Sequence, residues 1–274
     1  MQTSPSLEKF SITKTLTDKT SPQACNFVAG HAGLPKARVK DAMNKGAVWI
    51  TRKGQGRIRL RKATYLLQKG DILELHYDQK VLATKPPPAS CLADYTHYSV
   101  WFKPANLLTQ GTDYGDHASL LRQVETFFTP WRKAYPVHRL DREAEGLILV
   151  AHSSEAAGRL SKLFQTHKVL KRYRVEVRGL PENDEGTMKE TLDGQEAVSH
   201  YRVISRHPET NTSVLLVEIE TGRLHQIRRH LASAGFPVMG DPRYGSGNKD
   251  GEPMRLAACE LEWTCPFTGR LHKN

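Results

Sequence analysis

Three consecutive prolines, at residues 86–88, divide this chain into two parts. Consecutive prolines favour an extended polyproline conformation and cannot continue a helix or a central strand. We therefore predict a linker over residues 83–92, between a small module at residues 10–82 and a larger domain at residues 93–274. Residues 1–9 lack a periodic apolar pattern, and we expect them to form a flexible tail.

The chain is strongly basic, because 40 Lys and Arg residues outnumber 29 Asp and Glu residues and leave a formal net charge of +11. A surplus of this size attracts polyanions through counterion release, so nucleic acid is the first partner class to consider. No run of about eighteen apolar residues occurs, and no apolar segment follows the N-terminus. We therefore expect no membrane-spanning helix and no secretory signal.

The cysteines and histidines do not form a metal-binding pattern. The four cysteines are scattered without a Cys-x-x-Cys pair, which argues against a disulfide framework and fits reduced thiols in a cytoplasm. His225 and His230 are five residues apart, unlike the ligands of a His-Glu-x-x-His zinc site, and no glycine-rich phosphate loop is present. We expect no metal, no cofactor and a monomeric protein.

The N-terminal module reads as two helices followed by short strands. Apolar periodicity predicts helices over residues 22–31 and 35–45, and alternating or β-branched runs predict strands at 48–50 and 72–75. Between these strands lies a dense basic stretch at residues 52–62. A charge run is usually a solvated face, but this one shares a small module with a basic helix, which favours binding of RNA phosphates. We predict RNA-backbone contacts from nine side chains: Lys36, Arg38, Lys40, Arg52, Lys53, Arg57, Arg59, Arg61 and Lys62.

The larger domain mixes strands and helices without a regular strand–helix alternation, which indicates an α+β fold and not a doubly wound sheet. Strands are predicted at residues 98–102, 171–177 and 214–220, and helices at residues 119–128, 153–165 and 221–235.

Asp141 is the most informative carboxylate, because it follows Arg139 by two residues and directly precedes Arg142. The apolar run at residues 147–151 follows Gly146 and reads as a buried strand, so this charged loop leads into the core. Folds commonly present catalytic groups on short loops anchored to rigid strands. A carboxylate here can act as a nucleophile at an anomeric carbon, and the adjacent arginine favours its ionised form.

Two other interpretations of this loop stay open. One is a solvated turn before a core strand. The other is a glycosidase that uses Glu143 or Glu145 together with Asp141. A retaining glycosidase needs its carboxyl groups about 5 Å apart across a sugar ring, and loop neighbours two residues apart tend to point in different directions. Asp141 alone is therefore the stronger candidate.

Tyr173 lies near the start of a predicted strand. The twofold period of a strand places Tyr173, Val175 and Val177 on one face, which we expect to point inward. A core tyrosine is the simplest interpretation. In an active site, the same ring would stack on a flipped base while its hydroxyl relays a proton.

Arg228 lies on an apolar helix face, four residues after Leu224 and three before Leu231. A buried guanidinium without an anion costs several kcal/mol, so we expect a carboxylate partner, and Asp141 is the natural candidate. The alternative is an arginine that extends to solvent from the rim of this face.

Six motifs lie in order within residues 98–268: Lys103-Pro104-Ala105, His138-Arg139-Leu140-Asp141, Lys171-Arg172-Tyr173, Gly222-Arg223-Leu224-His225-Gln226-Ile227-Arg228, the run from Gly235 to Gly245, and Arg255-Leu256-Ala257-Ala258-Cys259. Together they resemble the RluA-type RNA pseudouridine synthases. The resemblance implies an isomerase that converts uridine in RNA to its carbon-linked isomer, without a cofactor.

The resemblance also implies roles for individual residues. Asp141 would be the catalytic residue, Arg228 its ion-pair partner and Tyr173 the third catalytic side chain. Arg139 would fill the space vacated by the flipped uridine. The side chains expected to bind substrate are His138, Arg139, Leu140, Lys103, Arg223, His225 and Gln226.

The fold implied by the resemblance is α+β. A pseudouridine-synthase catalytic domain, built on a mixed, largely antiparallel sheet flanked by helices, would follow a small N-terminal α/β RNA-binding module. The order of helix, glycine, strand, basic loop and Lys-Gly-Asp-Ile-Leu at residues 69–73 is similar to the alpha-L RNA-binding module. We expect a structured RNA as partner, with ribosomal RNA of the large subunit favoured over transfer RNA. The alternative is a noncatalytic RNA-binding or ribosome-assembly factor.

The chain departs from the family pattern at two places. Ala144-Glu145 stands where the family usually has Thr-Ser, and Asn106 stands where it usually has Gly. Both departures affect the loops around the candidate site and leave the carboxylate, tyrosine and arginine in place.

Overall fold

The computed structural model describes residues 9–245 and 253–274. Within these ranges the chain forms two compact units. The first comprises residues 9–86 together with Gln110–Gln123, and the second comprises Pro87–Thr109 and Val124–Asn274. Residues 110–123 follow the proline run in sequence and still pack with the first unit. Among the described helices, none is both long and apolar enough to cross a membrane.

The first unit is a four-stranded antiparallel sheet with helices, in the strand order β1-β4-β2-β3. Its elements are β1 (Lys9–Thr15), α1 (Ala24–Ala32), α2 (Lys36–Asn44), β2 (Val48–Thr51), β3 (Ile58–Arg59), β4 (Ile72–Asp78) and α3 (Gln79–Ala83). The two helices and the strands β2 and β4 lie where the sequence predicts them. Strand β1 is not predicted, because its seven residues contain only two apolar side chains, Phe10 and Ile12.

The core of the first unit explains why α1 and α2 form. The apolar positions Val39, Ala42 and Met43 of α2 have no exposed surface and pack with Val28 of α1 in one cluster. The expected tail at residues 1–9 falls outside the described residues except for Lys9, which begins β1. The linker expected at residues 83–92 stays a prediction; α3 ends at Ala83 and the next strand begins at Ser90.

The second unit is built on a ten-stranded sheet with the order β10-β11-β12-β9-β13-β8-β6-β5, in which β14 also pairs with β13 and β7 with β8. The elements from this point of the chain are β5 (Ser90–Asp94), β6 (Tyr98–Lys103), α4 (Leu120–Phe127), β7 (Tyr135–Pro136), β8 (Glu145–Ala151), α5 (Ser154–Gln165), β9 (Val169–Arg178), β10 (Glu185–Leu192), β11 (Gln195–His207), β12 (Thr212–Ile219), α6 (Gln226–Ser233), β13 (Leu256–Thr264) and β14 (Leu271–Lys273). Between described strands, β8 and β13 pair in parallel and the other pairs are antiparallel. The predicted α+β fold with a mixed, largely antiparallel sheet is confirmed.

One predicted boundary in this unit is wrong. The helix expected over residues 221–235 is shorter, because α6 begins at Gln226 and ends at Ser233. The preceding residues form a turn that the Gln226 side chain holds in place: its amide oxygen, Oε1, accepts hydrogen bonds from the Thr221 hydroxyl (2.7 Å) and the Arg223 backbone N–H (3.0 Å). Such local side-chain bonds compete with helix formation.

The sheet order brings three distant segments into line. Strand β13 lies between β8 and β9, so that Gly146 is level with Ala258 and Ala258 is level with Tyr173. Gly146 has a φ of 114°, and a Cβ atom there would lie 2.2 Å from the Ala258 carbonyl oxygen. Only glycine fits this position. The loop that contains Asp141 therefore reaches the part of the sheet in which Tyr173 lies.

Candidate active site

A pocket of about 300 Å³ opens on the second unit, where the loop before β8, strand β9 and the turn before α6 come together. Eight of the ten side chains predicted as catalytic or substrate-binding line it: Arg139, Leu140, Asp141, Tyr173, Arg223, His225, Gln226 and Arg228. Apolar residues that were not predicted to bind substrate also line the pocket, among them Leu224, which is 49% exposed, and the buried Leu256.

Arg228 forms the predicted ion pair with Asp141. Its Nη1 donates to Asp141 Oδ2 at 2.9 Å, while Nε and Nη2 donate to the two carboxylate oxygens of Asp241 at 2.8 Å each. Arg228 is 2% exposed and Asp241 is fully buried. Burial would lower the pKa of Arg228, but the hydrogen bonds and charges of the two carboxylates outweigh it and raise this pKa above its usual value. The guanidinium is therefore a permanent cation that holds one oxygen of Asp141.

Asp241 holds the Arg228 guanidinium in place and is itself bound by backbone groups. Its Oδ1 also accepts the backbone N–H groups of Arg243 (2.8 Å) and Tyr244 (3.1 Å). Burial acts to raise the pKa of Asp241, but the hydrogen bonds from Arg228 and these two N–H groups hold it below its usual value. Asp141 is more accessible than its partner, with 16% of its side chain exposed against 2% for Arg228, although both residues line the pocket.

The backbone of the Asp141 loop is fixed by two buried polar side chains. Thr109 accepts the Leu140 N–H at 3.2 Å and donates to the Leu140 carbonyl at 2.8 Å. Lys103, which has no exposed surface, directs its ammonium group to four carbonyl oxygens: Pro104, Leu107, Arg142 and Ala144, at 2.6–3.3 Å. Burial lowers the pKa of Lys103 to about 8. Thr109 therefore fixes the loop before Asp141, and Lys103 fixes it after Asp141.

Tyr173 is buried, as the strand alternation predicts, and lines the pocket from β9. Burial and the nearby charge of Asp141 raise the pKa of its hydroxyl well above the usual value. The side chain is therefore a phenol at neutral pH, placed within reach of the same space as Asp141.

Comparisons with known proteins show the family of the chain. A sequence profile of the RNA pseudouridylate synthase family matches residues 97–233. An Aquifex aeolicus protein described as an uncharacterized RNA pseudouridine synthase is 30% identical over 77% of this chain and 72% of its own length. The chain belongs to the RNA pseudouridylate synthase family.

Other relatives of this pseudouridine synthase are named for two kinds of RNA. A tRNA pseudouridine synthase C of Vibrio parahaemolyticus is 32% identical over 61% of this chain and 80% of its own length. A ribosomal large subunit pseudouridine synthase D of Nitrosomonas europaea is 31% identical over 67% of this chain and 60% of its own length. The solved structure of human RNA pseudouridylate synthase domain containing 1 has a TM-score of 0.58 and 21% identity, over 70% of this chain and 85% of that one, which shows the shared fold.

Two predicted substrate-binding residues of the synthase do not line the pocket. Lys103 is occupied by the four carbonyls described above. His138 accepts the Leu149 backbone N–H through Nε2 at 3.0 Å and stacks on Phe164 at 4.3 Å, and burial lowers its pKa to about 3. Both side chains bond backbone groups within the protein, and their predicted contacts with substrate stay predictions.

Gln226 lines the pocket, but its amide group is used within the protein. Its nitrogen donates to the Val198 carbonyl (2.9 Å) and the Ser199 hydroxyl (3.0 Å), and its oxygen accepts the two bonds that hold the turn before α6. An amide has two donors and one acceptor oxygen, and all of them are engaged. The amide therefore holds the turn before α6 against the sheet, and its predicted contact with substrate stays a prediction.

Asp241 is the main residue that the sequence analysis missed. A guanidinium has five N–H donors, and a single carboxylate such as Asp141 cannot satisfy all of them when the guanidinium is buried. The number of donors on Arg228 therefore indicates a second carboxylate. The Gly240-Asp241-Pro242 run, already part of the family pattern, contained it.

The two family departures have structural consequences. Asn106 has a φ of 66°, a left-handed conformation that glycine adopts freely and that Asn tolerates better than most residues. Glu145 begins β8 and lines a different pocket, together with Arg174 and Arg255. Glu143 joins the Arg228 cluster, with Oε2 3.6 Å from Nη1.

The basic side chains of the first unit fall into two groups. Four arginines predicted to bind the RNA backbone are ion-paired inside this unit, in the pairs Arg52–Asp71, Arg57–Glu74, Arg57–Asp113, Arg59–Asp116 and Arg61–Asp116. The other five are exposed and, within the described part of the chain, have no acidic partner within 4 Å: Lys36, Arg38, Lys40, Lys53 and Lys62. The paired arginines have their charge compensated, so the five exposed residues are the stronger candidates for phosphate contacts.

Proposed function

We propose that this synthase isomerises uridine in ribosomal RNA of the large subunit, with Asp141 as its catalytic carboxylate. The observation that carries this proposal is the buried Arg228, which holds Asp141 at 2.9 Å at the wall of a pocket shared with Tyr173. The reaction is an isomerisation, so it neither gains nor loses atoms and needs no external electron donor.

The target uridine must leave its stack to enter the pocket, which costs a few kcal/mol. We propose that the exposed basic side chains supply this free energy through phosphate contacts, and that Arg139, exposed at the rim of the pocket, occupies the space of the flipped base. Leu140 and Arg223 line the pocket and are proposed to contact the flipped nucleotide.

Asp141 would then act on the sugar, either by adding to the anomeric carbon or by removing a sugar proton. Both routes use the carboxylate that Arg228 Nη1 holds at 2.9 Å. After the glycosidic bond breaks, the uracil turns in the closed space and rejoins through carbon five. The Tyr173 hydroxyl would assist removal of the proton from that carbon. Because it is a protonated phenol, it can accept this proton only if it releases its own proton at the same time.

The preference for ribosomal RNA rests on the first unit, whose exposed lysines and arginine offer a second RNA-binding surface. Relatives named for ribosomal RNA and for transfer RNA both resemble this chain, so the substrate needs a direct test.

The test is to incubate the purified wild-type protein and the Asp141→Asn variant with large-subunit ribosomal RNA and with total tRNA, both free of pseudouridine. Pseudouridine is then mapped in each RNA. We expect modification of the ribosomal RNA by the wild type, a loss of at least 1,000-fold in the variant, and similar RNA affinity for both proteins. Modification of tRNA alone would overturn the substrate. Retained activity in the variant would remove Asp141 from the mechanism, and modification of neither RNA would favour a noncatalytic RNA-binding factor.

A further inference from the structure

We infer that His225 is a positioning residue for Asp141, and that Tyr244 sets the orientation and tautomer of the His225 ring. This inference rests on the proposed function, since it concerns the carboxylate oxygen that Arg228 does not hold. His225 was expected to bind substrate; its contacts assign it a role toward the carboxylate.

The contacts of His225 connect it to the Asp141 carboxylate and to the residues that hold Arg228. His225 Nδ1 lies 2.9 Å from the Tyr244 hydroxyl, and Nε2 lies 3.8 Å from Asp141 Oδ1. Arg228 holds the other oxygen, Oδ2, and is bound by Asp241, which in turn accepts the Tyr244 backbone N–H. One oxygen of Asp141 is thus bound by Arg228 and the other faces His225. Asp241 binds both Arg228 and the backbone of Tyr244, which is the partner of His225.

The chemistry of the two contacts selects one tautomer. A neutral imidazole has one N–H donor and one acceptor nitrogen, and a carboxylate only accepts. Only the tautomer with the proton on Nε2 presents an N–H toward Asp141, and in that tautomer Nδ1 accepts the Tyr244 O–H, so this is the tautomer that the inference assigns. Tyr244 can supply that proton because a phenol both donates and accepts. The 3.8 Å separation exceeds a hydrogen bond in length, so His225 acts on Asp141 Oδ1 through the dipole of this N–H at close range.

The neutral state of the ring follows from its surroundings. The charged groups that face it are Asp141 and Glu143 from the loop before β8, Arg228 from α6, and Arg243 from the segment after it. Burial lowers the pKa of His225; Asp141 and Glu143 act against this and the two arginines add to it, so the pKa stays below its usual value. His225 therefore orients the carboxylate as a neutral donor.

The backbone supplies an independent observation. His225 has φ 53° and ψ 30°, a left-handed conformation that is uncommon for a residue with a side chain. The turn is held there by Gln226, whose amide bonds both the turn and the sheet. This conformation directs the imidazole into the pocket directly before α6, and a helical backbone at His225 would redirect it.

The first arm of the test uses His225→Gly, because glycine adopts the left-handed conformation without strain and removes only the imidazole. We expect kcat to fall about 100-fold, the scale for a misplaced reacting group, while KM for the RNA changes less than about threefold. Added imidazole should restore part of kcat. Tyr244→Phe keeps the ring and loses the hydroxyl, and its kcat should fall about tenfold with an unchanged KM.

The second arm does not depend on activity. Nitrogen NMR of ring-labelled histidine, with His225 assigned from the His225→Gly spectrum, should show the Nε2–H tautomer in the wild type and a mixture of tautomers in Tyr244→Phe. A wild-type Nδ1–H tautomer, or an unchanged kcat in a folded His225→Gly variant, would overturn the inference. If His225→Gly does not fold, Tyr244→Phe and the tautomer decide the question. An inactive wild type would instead refute the proposed function and leave the tautomer measurement intact.

Discussion

At the scale of single residues, the second unit buries a pair of opposite charges, on Arg228 and Asp241. Both are nearly or fully inaccessible to water, and each satisfies the other with two hydrogen bonds. A buried pair contributes little beyond apolar residues of the same size, but a buried charge that loses its partner is costly. Stability and activity are therefore linked through one guanidinium.

We expect Asp241→Asn to lower the free energy of unfolding by about 3 kcal/mol, because Arg228 then keeps its charge without its buried carboxylate. Catalytic turnover should fall as well, since Arg228 would shift relative to Asp141. Urea unfolding measures the first effect. The matched control is Asp193→Asn, which removes a solvent-exposed partner of Arg229 and should cost less than about 1 kcal/mol. Equal losses in the two variants would contradict the argument.

His138 makes stability depend on pH. Its pKa is about 3 in the folded protein because of burial, against about 6.5 in an unfolded chain. Between these values the unfolded state binds a proton that the folded state does not, so the free energy of unfolding increases with pH across this window. The contribution of His138 to the free energy of unfolding is complete above about pH 6.5 and is lost as the pH falls toward 3.

The measurement is the urea midpoint as a function of pH, for the wild type and for His138→Asn. The variant lacks the titrating ring, so its midpoint should change less between neutral and acidic pH. Part of the slope should remain, because burial also lowers the pKa values of His117, His152 and His230. The exposed His31→Asn variant serves as control, and an identical slope in all three proteins would show that His138 is not responsible.

At the scale of elements, the junction between the Asp141 loop and β8 controls the site. Gly146 allows β13 to approach β8 closely, and Lys103 and Thr109 fix the loop that precedes it. The position of Asp141 thus depends on contacts between strands that are over 100 residues apart in sequence, at Gly146 and Ala258.

Gly146→Ala tests this junction. The new methyl group would overlap the Ala258 backbone at 2.2 Å and would require a positive φ at alanine. We expect a loss of 3 kcal/mol or more, in line with overpacking and strain together at about 1–3 kcal/mol each, measured as a lower melting temperature. Gly158→Ala is the control, because Gly158 lies inside helix α5 with no atom within 4 Å of the added Cβ. That variant should gain about 0.5–1 kcal/mol.

At the scale of the whole molecule, the net charge of +11 overstates the charge available for RNA binding. Four arginines of the first unit are compensated by acidic residues, and part of this compensation comes from Asp113 and Asp116 in the segment that follows the proline run. The basic stretch at residues 52–62 is therefore partly a folded ion-pair network and partly a candidate RNA surface.

Neighbouring residues Arg52 and Lys53 separate these two roles. Lys53→Gln should weaken RNA binding and reduce the slope of log affinity against log salt by about 1, as expected for one lost phosphate contact. Arg52→Gln should leave that slope unchanged and lower the stability of the protein by about 3 kcal/mol, because it strands the buried Asp71. Salt titrations of RNA binding and urea unfolding provide both measurements. A reversed pattern would show that Arg52, and not Lys53, contacts the phosphates.

Much of this architecture can be predicted from local pattern. The helix at α2, the inward face of Tyr173 and the ion pair between Arg228 and Asp141 follow from periodicity and from the cost of burying a charge. The order of motifs also predicts the family. These inferences succeed because the period of a helix or strand and the need of a buried charge for a counterion act over short or chemically obligatory ranges.

The remaining features depend on which distant groups meet. Lys103 carries the family motif but points at four carbonyls, Arg52 is basic but paired, and Asp241 completes a cluster to which Asp141 belongs. Sequence analysis assigns a polar residue its chemistry, whereas its partner is set by the packing of the sheet and loops. A buried donor bonds whichever acceptor the fold places beside it, and that neighbour comes from long-range strand order, which local periodicity does not encode.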